Sequence, residues 1–260
     1  MRRRLLVPEK QEEDKWNYIM CKLNITTTTA RTTVISTSFT GSSQIDYITF
    51  NKPDDNTHYP YDTGFQFTVA GERIMYIHFK GQPTNLDNLF LDISCITYVD
   101  MNELDTSKVT SMNGMCQNCT SLVQCLMADC RADSLTQMIN TFNSCSVLKY
   151  VDFGSYVHGN FKPRKLTDVR NMFNWCRAIT TINMSMFDLS TVTQFGYTWG
   201  NCGSLVELFL STGFSSTALM STNMFSGNTN SGKIYYNKNY DVSRLTSVKP
   251  SSWQMVQYNY

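Results

Sequence analysis

Four cysteines, Cys116, Cys119, Cys125 and Cys130, form the densest set of chemically competent side chains in this chain. Cys116 and Cys119 make a C-x-x-C, and two further thiols nearby would complete the tetrahedral thiolate set that zinc takes. There are nine cysteines in all, an odd number, so they cannot all pair within the chain. Of the three histidines, His58, His78 and His158, none lies in a nucleophile or ligand pattern. No phosphate-binding loop, dinucleotide fingerprint or G-x-S-x-G turn occurs. The carboxylates are scattered rather than paired for acid–base work. Whether the thiols are ligands depends on what the surrounding elements do with them.

Those elements repeat. Units begin at Pro83, Val109, Leu135, Leu166, Val192 and Ala218, at steps of 26 residues except for one of 31. The excess falls between Gly154 and Lys165, a Gly-, Tyr- and base-rich stretch that reads as an exposed loop. The fourth, seventh, eighth and eleventh positions are apolar or cysteine. In the second unit they are Met112, Met115, Cys116 and Cys119. This i, i+3, i+4, i+7 spacing predicts one face of a two-turn helix, with the second-position threonines (Thr84, Thr110, Thr136, Thr167 and Thr193) as its caps. The fourteenth, seventeenth and nineteenth positions spell L-x-x-L-x-L and predict a short strand. The expected fold is therefore mixed α and β: a leucine-rich-repeat-type solenoid of six 26-residue helix–strand units, preceded by a small β-sandwich. The C-x-x-C dissolves into two columns of the repeat, since Cys119, Cys145, Cys176 and Cys202 recur one per layer as small buried hydrophobes. No metal, cofactor or catalytic residue is expected.

The outward positions of the predicted strands form two columns. Tyr98, Asp100, Leu126, Tyr150, Asp152, Phe209 and Tyr235 within them are the candidate binding face. The sixth unit departs from the pattern, with Ser221, Asn228 and Ser231 at apolar positions, as terminal repeats do. The expected division is an arm at 1–15, the β-sandwich at 16–82, the solenoid at 83–240 and a cap at 241–260 in which Trp253 and Met255 cover the last layer. In the second of these, Trp16 to Ile25, Thr32 to Ser38, Gln44 to Phe50, Gly64 to Val69 and Arg73 to Phe79 read as strands.

Charged residues are only 17% of the chain and the formal net charge is +1, so no global field points to nucleic acid. No run is long and apolar enough for a membrane span, and the three apolar residues after Arg2, Arg3 and Arg4 are too few for a signal h-region. These three arginines are the candidate anchor.

The phrases Leu104-Asp-Thr-Ser-Lys-Val-Thr-Ser-Met-Asn-Gly-Met115 and Leu166-Thr-Asp-Val-Arg-Asn-Met-Phe173 resemble the BspA-type leucine-rich repeat. The Met-Arg-Arg-Arg-Leu-Leu start resembles virion-attached proteins of Bacteroides phages. The resemblance implies a non-catalytic virion structural protein, such as a head fibre, capsid decoration or tail adhesin. Its arm would contact other virion proteins, its solenoid would face a host-surface glycan or protein, and it would assemble as a homotrimer. The same family implies, as the alternative, a bacterial cell-surface or secreted adhesin.

Overall fold

The computed structural model describes residues 17–155, 158–210, 213–239 and 241–258. Alternation of apolar and polar residues builds β1 (Tyr18–Ile25), β3 (Ile45–Phe50) and β5 (Gly71–Phe79). β1 and β3 pair antiparallel with β5 to form a three-stranded leaf. Only two-residue fragments of the other expected strands form, β2 (Thr32–Thr33) and β4 (Gly64–Phe65), which pair with each other. In place of the expected sandwich, the leaf continues edge-on into the repeat region. β1 pairs antiparallel with β6 (Ile96–Asp100).

From β6 the chain winds as a β-solenoid. β6, β7 (Gln124–Leu126) and β8 (Tyr150–Asp152) stack in parallel, and the sheet order is β3-β5-β1-β6-β7-β8. A second parallel sheet holds β9 (Thr181–Met184), β10 (Glu207–Leu210), β11 (Lys233–Asn237) and β12 (Gln254–Tyr258). The break falls at the long repeat. There the insert departs from expectation: it carries Phe161 into the core, with its ring 5.2 Å from Phe153 and 5.6 Å from Phe187. A second line of parallel bridges runs unbroken through that layer, along the third repeat position at Asn85, Ser111, Gln137, Asp168 and Gln194 and then to Leu219, the second position of the sixth unit.

The helix–strand leucine-rich-repeat unit is the main correction. The segments expected to be helical are staircases of tight turns, and among the described residues the one α-helix is α1 (Ser243–Val248). The sixth and tenth positions take left-handed backbone: Asn88 and Asp92, Gly114 and Asn118, Asn140 and Ser144, Asn171 and Trp175, Tyr197 and Asn201. A helix cannot pass through such residues. Each one restarts a turn, so amides alternate in their use. Met115 and Cys119 donate within their own coil to Met112 and Cys116, while Gly114, Cys116 and Asn118 donate to Ile139, Thr141 and Asn143 of the next coil. The inward residues still recur at i, i+3, i+4 and i+7, because two four-residue turns span the same interval as two helical turns.

The second-position threonines likewise cap no helix. They form a ladder, in which the Thr110, Thr136, Thr167 and Thr193 hydroxyls each donate to the carbonyl of the threonine one coil earlier at 2.9–3.3 Å. Gln44 of the leaf ends this ladder, its side-chain oxygen accepting from the Thr84 amide and hydroxyl at 2.5 and 3.1 Å.

The far end carries one more rung than the repeat count implies. β12 pairs in parallel with β11, and Trp253 lies buried against Phe225 at 5.6 Å. The Trp253 indole sits over Gly232, where a Cβ would come within 2.7 Å of the ring, so a side chain at 232 would displace it. Its Nε1 donates to Asn230 O at 2.9 Å.

Candidate functional site

The parallel ladders put the outward strand residues in register. Tyr98, Gln124 and Tyr150 align in one column, and Asp100, Leu126 and Asp152 in the next. On the second sheet, Thr181, Glu207, Lys233 and Gln254 align beside Asn183, Phe209, Tyr235 and Val256. All seven candidate face residues therefore lie on the strand face, but in two groups separated by the break between β8 and β9. The fully outward one is Tyr150, at 47% exposure; the rest are half-buried.

The two aspartates hold the backbone as well as facing outward. Asp100 Oδ1 accepts from the Asn102 amide at 3.0 Å, and Asp152 Oδ1 from the Gly154 amide at 2.8 Å. Each thus closes the turn that leaves its strand. The Tyr98 hydroxyl donates to the other Asp100 oxygen at 3.3 Å. Burial, then the Asp100 carboxylate, pushes the Tyr98 phenol up to about 12, and burial followed by Asp152 raises Tyr150. Both phenols are neutral hydrogen-bond donors rather than bases. On the second sheet Phe209 and Tyr235 stack face to face at 4.4 Å and 7°. Tyr235 also donates to Glu207, which accepts from Thr181 on its other oxygen. This is an aromatic, hydrogen-bonding strip that contacts rather than reacts.

The thiols are structural donors. Cys119 Sγ donates to Phe90 O, Cys145 to Cys116 O, Cys176 to Phe142 O and Cys202 to Phe173 O, at 2.9–3.0 Å, each to the coil before. Burial pushes Cys116, Cys145 and Cys176 well above the usual thiol range and Cys202 up to about 12. All nine cysteines are free, and among the described residues no cluster of three or more His, Cys, Asp or Glu side chains could hold a metal. Asn228 occupies the same column in the sixth layer. Its Nδ2 donates to Trp199 O and its Oδ1 accepts from the Cys202 amide, both at 2.8 Å. It therefore continues the cysteine column instead of decaying from it.

His78 is buried in the leaf, stacked on Tyr47 at 4.2 Å, with Nε2 3.2 Å from Thr49 Oγ1. His58 stacks on the other face of Tyr47 at 3.9 Å. Burial first, then His58, lowers His78 to about 4 against the opposing pull of Asp46, so the ring is neutral at physiological pH. His158 contacts Ser155 within the insert at 2.9 Å. Arg2, Arg3 and Arg4, the candidate anchor, lie outside the described residues.

Sequence reasoning missed the two left-handed columns. Their signal is present: Asn, Asp, Gly or Ser fills eight of the ten places named above. The exceptions, Trp175 and Tyr197, are 42% and 40% exposed.

Stacked coils with parallel rungs and inter-coil side-chain ladders define a β-solenoid repeat protein. Residues 84–209, just under half of the chain, are similar to the family described as "Mycoplasma protein of unknown function, DUF285". No curated protein and no solved structure matches the chain. No helix among the described residues is long and apolar enough to cross a membrane.

Proposed function

We propose that this is a non-catalytic structural and binding protein of a phage particle, attached through its N-terminal arm, with the solenoid as the surface that meets the host. The observation that carries the binding half is the register of Tyr98 with Tyr150 and of Phe209 with Tyr235 on the outward strand face. Rigid parallel rungs hold these rings at fixed spacing, so a partner meets them with little ordering cost. The buried polar groups support the non-catalytic half, because thiols, threonines and Asn228 are committed to inter-coil bonds. The attachment half rests on the arginine start and its likeness to virion proteins.

Mass spectrometry of purified particles tests attachment. Presence at stoichiometric copy number, lost when Arg2, Arg3 and Arg4 are replaced by Ser, is the expected result. Absence from particles would sink it. The similarity to a family described from Mycoplasma, a cellular organism, favours a second reading as a bacterial surface adhesin. Recovery from the envelope of uninfected cells would establish that reading in its place.

A further inference from the structure

We propose that Trp175, Tyr197 and Arg177 form a second binding site, on the turn segments rather than the strands, for a carboxylated saccharide. The site deepens the scaffold reading above and rests on it only for the host side of the ligand.

Left-handed backbone suits residues with short polar side chains or none, and the turn columns use Asn, Asp, Gly and Ser almost throughout. Trp175 adopts φ 65° and Tyr197 φ 56° in these columns. Bulky rings there are unfavourable, and packing offers modest return, since both rings are two-fifths exposed. The other left-handed places of these two columns carry no aromatic.

The two residues are neighbours across adjacent coils. The Gly200 amide donates to Tyr197 O at 3.0 Å, and Gly200 O accepts from the Trp175 amide at 3.1 Å. Around Tyr197, three places that need no special backbone carry glycine. Gly196, Gly200 and Gly203 stand where the preceding coil has Arg170, Asn174 and Arg177. A Cβ on Gly203 would meet nothing within 4 Å, so a side chain there would fit, and one on Gly200 would press on the Tyr197 ring at 3.2 Å. The usual residue preferences are inverted: rings occupy two places that favour glycine, while Gly196 and Gly203 occupy places open to a side chain. The outcome is two exposed rings, with Tyr197 over buried Gly200 and bare backbone at Gly196 and Gly203.

Arg177 supplies the charge. Its guanidinium carbon lies 4.7 Å over the Trp175 ring, and the side chain is exposed. Among the described residues no carboxylate pairs with it, whereas Arg170 is tied to Asp168 at 2.8 Å. Asn174 and Asn201 border the patch, with Asn201 Nδ2 donating a hydrogen bond to Asn174 Oδ1 at 2.8 Å. Flat π faces pack against the C–H face of a pyranose, amides satisfy its hydroxyls, and a free guanidinium fork matches a carboxylate. A uronic or sialic acid residue meets all three requirements.

The test uses the full chain and matched probes: sialyllactose against lactose, and trigalacturonate against its methyl ester. The expected result is saturable binding of the charged member, at least about tenfold tighter than its uncharged mate. Arg177→Gln should abolish that preference. Trp175→Asn and Tyr197→Asn should each weaken binding about tenfold while raising Tm by a few degrees, because Asn relieves the backbone. The proposal is overturned if neither charged probe binds saturably, if the Asn variants bind as the parent does, or if both Asn variants melt lower, which would show that the rings are there for packing. Tyr98→Ala and Tyr150→Ala, on the strand face, should bind the probes as the parent does. A loss of host contact confined to those two would concern the strand face alone.

Discussion

The antiparallel leaf shares a sheet with the first three coil strands, but leaf and coils bury their polar groups in opposite ways. In the leaf, Tyr18, Tyr47, Thr49, His58 and His78 gather into a stacked cluster that includes a titratable ring. In the coils, buried thiols, threonine hydroxyls and the Asn228 amide bond to the coil next door, and the buried Asp168 carboxylate is held by Arg170 of its own coil. The leaf thus depends on a protonation state, whereas the coils depend on stacking. A stack of this kind is held by nearest-neighbour terms, so damage to one layer stays local.

The largest test of that contrast is acid. His78 is lowered to about 4 in the folded leaf, against an ordinary value of 6.5. The unfolded chain therefore takes the proton first as pH falls. The stability tied to this group is complete above pH 6.5 and is lost as pH falls from there to about 4, by up to about 3 kcal/mol. Urea melts at pH 7 and pH 4.5 should show it, and His78→Gln, which keeps a hydrogen-bonding side chain near Thr49, should remove that part of the drop. Hydrogen exchange at pH 4.5 should open β1, β3 and β5 before the coils. An equal drop in parent and variant would break the contrast.

The second test concerns the coils' far end. Asn228→Leu restores the apolar pattern that the sixth repeat lacks, and a leucine-rich-repeat reading expects a gain. The structure expects a loss of about 2 kcal/mol, because Trp199 O and the Cys202 amide would each lose the Asn228 partner. Chemical denaturation decides the sign. What the sequence carried here was the column, not its purpose. Cysteine at the eleventh position reads as a small hydrophobe, and only the neighbouring coil reveals the eighth-position carbonyl to which it donates, Phe173 O for Cys202 and Trp199 O for Asn228.

A third, smaller effect separates turns from helices. If Asn140 stood in a helix, Asn140→Ala would stabilise by about 0.5 kcal/mol. At φ 56° it should instead cost about 1 kcal/mol, and Asn140→Val about 2 kcal/mol. A gain in both would restore the helix. The longer strands were legible because alternation has one structural meaning: the expected strand from Arg73 to Phe79 falls within β5. The turn segments were not legible from apolar spacing, which two tight turns and two helical turns share. Asn88, Gly114, Asn140 and Asn171 carried the missing information in a column that hydrophobic periodicity ignores. The strand-face residues could be placed from the sequence alone; the five-residue excess marked where the spacing changes, but not that the strand ladder breaks there between β8 and β9.

The smallest effect bears on whether the strand face is free to bind. Tyr98→Phe removes a hydroxyl that donates to Asp100 at 3.3 Å, and Tyr150→Phe removes the corresponding group beside Asp152. Both aspartates keep their turn-closing bonds on the other oxygen. Stability should therefore shift by less than about 0.5 kcal/mol in either variant, while Asp100→Ala and Asp152→Ala should each cost about 1 kcal/mol. This ordering matters for function. A hydroxyl that contributes little to the fold can turn to a partner at little cost, and the ring beneath it stays where the ladder puts it. Should Tyr98→Phe destabilise by more than about 1 kcal/mol, the hydroxyl is committed to the coil, and the strand face would resemble the thiol column rather than a surface held ready for contact.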